Sequence, residues 1–73
     1  MYSDLVDELF EDLKCDLGSE DAAREWLSEP YSIYDHFGRA MVIRNRLNLW
    51  KRVSDPDGDS NDILKLAIEK YGN

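Results

Sequence analysis

The run Asp55-Pro56-Asp57-Gly58-Asp59-Ser60-Asn61-Asp62 is the densest set of oxygen ligands in the chain, and Asp55, Asp57 and Asp59 stand at positions 1, 3 and 5 of a calcium-loop pattern. Such a loop needs Gly at its sixth position for the sharp turn and a bidentate Glu at its twelfth. Ser60 and Leu66 occupy those places. The run therefore reads as a turn and helix cap, where Asp and Ser accept from freed backbone N–H groups. No metal and no other cofactor is expected. His36 is the only histidine and Cys15 the only cysteine, and no second Cys or His stands at helical spacing to complete a zinc site. No nucleophile, base and oxyanion donor can be assembled, so the chain is not expected to be an enzyme.

What remains is charge. Sixteen acids against nine Lys and Arg give a net −7 and a sequence pI near 4.4. Residues 1–29 hold ten acids and two bases, a net −8; residues 30–53 hold one acid and five bases, a net +4; residues 54–73 hold five acids and two bases, a net −3. Direct nucleic-acid binding is disfavoured, because it needs a basic footprint. Arg39, Arg44, Arg46, Lys51 and Arg52 do not fall on one helical stripe. The acidic segment offers Asp4, Asp7, Glu8, Glu11 and Asp12, then Glu20, Asp21, Glu25 and Glu29, as a contact for a basic protein surface. The plainer reading is internal complementarity, with the acidic arm lying beside the basic middle and cancelling part of it.

The elements that position these groups are helical. Leu5, Leu9, Leu13 and Leu17 recur every four residues and, with Val6 and Phe10, make one arc of a first helix. The acids from Asp4 to Asp12 fall on the other arc, Ser3 is the expected N-cap and Gly18 the expected end. Cys15 lies on the polar side. Ser19 caps a shorter second helix with Ala22, Ala23, Trp26 and Leu27 as its apolar face, stopped by Pro30. Ser32 and Asp35 have capping-box spacing, and a long third helix is expected over 33–50. Its apolar residues spread over several faces, which marks a central helix. Ser54–Ser60 is the clearest loop, and Asp59 or Ser60 is expected to cap a last helix with Ile63, Leu64, Ala67, Ile68 and Tyr71 inward.

The expectation is thus an all-α, four-helix mini-domain, one domain over 1–73, with helix three at its centre. Leu9, Leu13, Trp26, Phe37, Met41, Leu47, Trp50, Leu64 and Ile68 are its expected core. Arg44, Asn45 and Trp50 are expected to be structural. Arg44 needs a carboxylate or carbonyl partner, for which an acid of the first helices or Asp57 could serve. A chain of 73 residues buries only about 60% of the surface its unfolded form exposes, too little for a deep enclosed cleft. A single cysteine suggests a reducing compartment. With no basic n-region and no long apolar run, the expected address is cytoplasmic and the expected form a complete small protein, monomer or weak dimer.

His36-Phe37-Gly38, Ile43-Arg44-Asn45 and Leu49-Trp50, followed by Pro56-Asp57, Ser60 and Ile63, resemble the "G…IRN…LW…PD..S..I" pattern of an uncharacterised family of small bacterial and phage-borne proteins. The resemblance covers roughly residues 33–68. It implies a helical fold and a bacterial or mobile-element origin, hence a bacterial host cell as the setting, and it brings no activity with it. Size and charge also match compact phage proteins that block host defence, anti-CRISPR proteins among them, by taking the place of nucleic acid on a basic groove. Two other readings stand beside this one. One is a helical adaptor or antitoxin-like subunit that binds through apolar surface, with Tyr2, Tyr31 or Tyr34 exposed for it. The other is a structural mini-domain with a metal-stabilised loop.

Overall fold

The structure, a computed structural model, describes residues 2–72 and every side chain among them except that of His36. The described chain is all helix and turn: α1 (Ser3–Leu17), α2 (Glu20–Trp26), a 3-10 turn over Ile33–His36, α3 (Arg39–Arg46), a second 3-10 turn over Leu49–Lys51, and α4 (Pro56–Tyr71). The four α-helices and the all-α class are those the periodicity calls for. α4 packs against both α1 and α3, and α1 also packs against α2.

Local chemistry accounts for most boundaries. Gly18 ends α1 in the left-handed region, at φ 92°, where a Cβ would be strained. Ser19 Oγ accepts from the Ala22 N–H at 3.1 Å and so starts α2. α1 begins one residue earlier than a Ser3 cap requires: Ser3 is its first helical residue and Tyr2 precedes it without a side-chain cap bond. α4 begins inside the stretch expected as loop. Asp55 is its N-cap, accepting from the Gly58 N–H at 3.2 Å, and Pro56 takes the first turn, where its missing N–H is not needed. Asp59 and Ser60 are therefore helical and do not cap.

The long third helix is corrected. Residues 33–50 break twice, at Gly38 (φ −113°, ψ −105°) and at Asn48, the one non-Gly described residue with positive φ, at 52°. At Asn48 the short polar side chain tolerates the left-handed conformation that most residues resist. The breaks re-aim the side chains. α3 buries Ala40 and Ile43, and the turn after Asn48 buries Leu49 and leaves Trp50 half-exposed.

The buried side chains form one cluster: Val6, Leu9, Phe10 and Leu13 of α1, Ala23 and Leu27 from the α2 segment, Ala40, Ile43, Leu47 and Leu49 from the middle, and Ile63, Leu64 and Ala67 of α4. Leu9, Leu13, Leu47 and Leu64 are in it as expected, with Trp26 and Ile68 packed partly buried against it. Phe37, Met41 and Trp50 are not; all three are exposed. At the other end of the fold, Phe10 and Tyr71 stack with centroids 3.8 Å apart, and the Gly72 backbone passes so close to the carbonyls of Leu27 and Ile68 that a Cβ there would collide with both.

Candidate protein-binding surface

The acids of α1 do not make a uniform solvated face. Four of them turn toward cations from later in the chain. Glu8 takes both ends of the Arg52 guanidinium, at 2.6 and 2.9 Å. Asp12 accepts from Arg46 at 2.7 Å, and Asp16 binds the same guanidinium. Asp7 accepts from Lys70 Nζ at 2.7 Å and from the Tyr71 hydroxyl. Glu11 pairs locally with Lys14, and in α2 Glu20 pairs with Arg24. The basic middle thus lies against the acidic arm, as the charge distribution along the chain suggests. Hydrogen bonds from Lys70 and Tyr71 lower the pKa of the Asp7 carboxyl, and those from Arg52 lower that of Glu8. The charge of Arg46 is held in turn by Asp12 and Asp16. Asp7, Glu8 and Asp12 are thus ion-paired within the fold, with about half of each side chain still exposed.

A different set does stand free. Asp4, Asp21, Glu25 and Glu29 are exposed and make no ion pair among the described residues. Asp21, Glu25 and Glu29 are spaced by four residues, so Asp21 and Glu25 follow one another up one face of α2, with Glu29 just past its end. Glu25 and Glu29 line an open groove of about 470 Å³ with Leu17, Ala22, Trp26 and Arg39.

Arg39 organises this end of the molecule, a role that its place among the scattered basic residues does not reveal. Its Nε and Nη2 donate to the two oxygens of Asp35, each at 2.8 Å. Nη1 donates to the Trp26 carbonyl at 3.1 Å, and Nη2 reaches the carbonyls of Glu29 (3.0 Å) and Pro30 (3.2 Å). Asp35 also accepts from the Ser32 N–H at 2.8 Å, which is the return half of a capping box. Arg39, with the Ser32 N–H adding to it, holds the Asp35 carboxyl below the ordinary carboxylate range against the opposing effect of burial. The visible signal was the Asp35/Arg39 spacing of four, a helical ion-pair distance.

Of the residues expected to be structural, Arg44 donates to Asp57 at 2.7 Å, one of the anticipated partners, and its Nε is buried with no acceptor among the described residues. Asn45 is exposed and contributes its backbone carbonyl, which accepts from Asn48. Trp50 is half-exposed and lies outside the core. The three carboxylates of the calcium-like run are each engaged: Asp55 caps α4, Asp57 holds Arg44, and Asp59 accepts from the Tyr2 hydroxyl at 2.6 Å. No group of three or more His, Cys, Asp or Glu is placed to hold a metal among the described residues. Cys15 is exposed.

One short turn carries an unusual apolar load. Ile33, Tyr34 and Phe37 are 78%, 83% and 76% exposed, the highest values among the large apolar side chains described. Among the described residues, no helix is long and apolar enough to cross a membrane. No family model matches the chain, and no curated protein or solved structure is found similar to it.

Proposed function

We propose that the chain is a small acidic inhibitor that binds a protein, docking on the basic groove of a nucleic-acid-binding host defence protein as anti-CRISPR proteins do. One observation carries this reading. Seven of the nine Lys and Arg side chains are engaged in ion pairs within the fold, leaving Lys51 and Lys65, whereas eight of the sixteen acids have no such partner among the described residues. The field left for a partner is therefore almost wholly negative. Successive carboxylates up α2 are separated by about 6 Å of helix rise, an interval close to that of backbone phosphates. The contact centres on Asp21, Glu25 and Glu29, with Asp4 and the outward edges of the paired α1 acids adding long-range attraction. In this proposal the protein is phage or mobile-element encoded, as the 33–68 resemblance implies, acts in the cytoplasm of a bacterial host, and is not an enzyme.

The test is a plating assay on bacteria carrying active CRISPR defence. Expression of the chain should restore plating of a targeted phage. Asp21→Lys, Glu25→Lys and Glu29→Lys together should abolish that effect, and raised salt should weaken the purified complex. Unchanged plating across a panel of defence types, with no displacement of nucleic acid from any of them, would sink the reading. The exposed Ile33, Tyr34 and Phe37 favour a second one, an adaptor or antitoxin-like subunit that binds through apolar surface, and this predicts binding insensitive to the α2 charges.

A further inference from the structure

The turn over Ile33–His36 combines two properties that a solvent-filled loop does not need together. Its Ile33 and Tyr34 side chains face water, and its backbone is held by the least exposed ion pair among the described residues. The Arg39 and Asp35 side chains are 13% and 14% exposed, and no other ion pair among the described residues has both members so covered. Through its bonds to the carbonyls of Trp26, Glu29 and Pro30, Arg39 also fixes the turn against the end of α2. A side chain presented on a fixed backbone loses less freedom on binding than one on a mobile loop. Aromatic side chains in such positions are the usual anchors of protein contacts. Through Arg39 the clamp thus ties an aromatic and aliphatic turn to a groove lined by Glu25 and Glu29, two acids that form no ion pair among the described residues.

We propose that the Ile33–Phe37 turn is the apolar anchor of the docking surface, and that its occupant is a protein segment presenting aromatic or aliphatic side chains flanked by Lys or Arg. This rests on the protein-binding reading above and deepens it. Charge complementarity selects the occupant: Glu25 and Glu29 attract its basic flanks, and the net −7 of the chain opposes a second copy in the same place. The acids bring the partner in and set its register, and the turn supplies the desolvated contact that slows its departure.

The experiment is to pan a random peptide library, displayed on phage, against the immobilised full chain. Enriched peptides are then measured against the wild type, Tyr34→Ser, Ile33→Ser and the double variant Glu25→Gln/Glu29→Gln. Peptides combining an aromatic or aliphatic residue with Lys or Arg should emerge. Tyr34→Ser should weaken them about tenfold or more with the helical circular dichroism and unfolding midpoint unchanged. The double Gln variant should weaken them in low salt. Purely basic peptides indifferent to Tyr34→Ser overturn the anchor while leaving the acidic contact intact. Apolar peptides indifferent to the Gln variant and to salt overturn both. A concentration-dependent dimer in sedimentation equilibrium, lost in Tyr34→Ser, identifies a second copy as the occupant and also overturns the proposal, as does a library that shows no enrichment.

Discussion

Arg39 closes a two-point grip on Asp35, four residues before it, with both N···O distances at 2.8 Å, and the same guanidinium reaches three carbonyls at and beyond the end of α2. One side chain therefore satisfies helix-end acceptors, an acid and the entry to α3 together. Removing it leaves a largely buried carboxylate and several carbonyls without their donor, a more severe loss than that of an exposed pair. Arg39→Ala should lower the unfolding free energy by about 2 kcal/mol or more. Arg39→Lys should recover little, because an ammonium cannot reproduce the planar fork. Urea unfolding measures both, and a loss within about 0.5 kcal/mol for Arg39→Ala, the range of an ordinary surface change, would refute the hub role.

The acid limb follows from the same pairs. The carboxyls of Asp7, Glu8 and Asp35 all have their pKa lowered in the fold, chiefly by hydrogen bonds from Lys70, Arg52 and Arg39 respectively. A lowered carboxylate contributes stability that is present above its unfolded value and lost as pH falls through its folded one. The urea midpoint should hold from neutral pH down to about 5 and fall steeply below about 4. Asp35→Asn should start from a lower midpoint and show a shallower acid limb. Parallel limbs for the variant and the wild type would rule Asp35 out as a contributor.

At the alkaline end the sign reverses. The hydrogen bond to Asp59 and the surrounding carboxylates push the Tyr2 hydroxyl from its ordinary 10.0 up to about 12. A raised phenol binds its proton more tightly folded than unfolded, so its contribution is complete below pH 10 and disappears as pH rises through 12. Tyr2→Phe should remove that part of the alkaline loss. Tyrosinate absorbance during a pH titration reads the same event directly, and the late-titrating component, to which Tyr71 with its hydrogen bond to Asp7 also contributes, should shrink by one tyrosine in the variant.

Class and helix number were legible because α1 and α4 have clean periodicity, although both begin earlier than their expected caps. Gly18 ends α1 and Ser19 caps α2 as their residue types dictate. The middle was less legible for a specific reason. Apolar residues spread around a hypothetical 33–50 helix look like a central helix, but the same spread arises when Gly38 and Asn48 rotate the chain between short turns. That rotation exchanged Leu49 for Trp50 and Ala40 for Phe37 in the core. For the site, acidity was readable in the composition. Which acids stay free was not, since it depends on how the fold brings Arg46, Arg52 and Lys70 back to α1.

The two groups of acids should therefore part company under charge reversal. Asp7, Glu8 and Asp12 face Lys70, Arg52 and Arg46, so a Lys at any of these positions sets like charges against each other across a helix contact. Asp21, Glu25 and Glu29 are exposed and in no ion pair among the described residues, and only Arg39, which shares the groove with Glu25 and Glu29, stands near a Lys placed there. The triple variant Asp7→Lys/Glu8→Lys/Asp12→Lys should lower the unfolding midpoint clearly at low salt and less at high salt, since screening weakens the repulsion. The triple variant Asp21→Lys/Glu25→Lys/Glu29→Lys should unfold close to the wild type, because exposed charges contribute little. A partner assay on folded material then separates the roles. Loss of binding in the α2 variant alone, at wild-type stability, assigns the contact to α2. Equal stability losses in the two variants would mean that the α2 acids are also held by the fold, and the division drawn between the paired and the free carboxylates would be wrong.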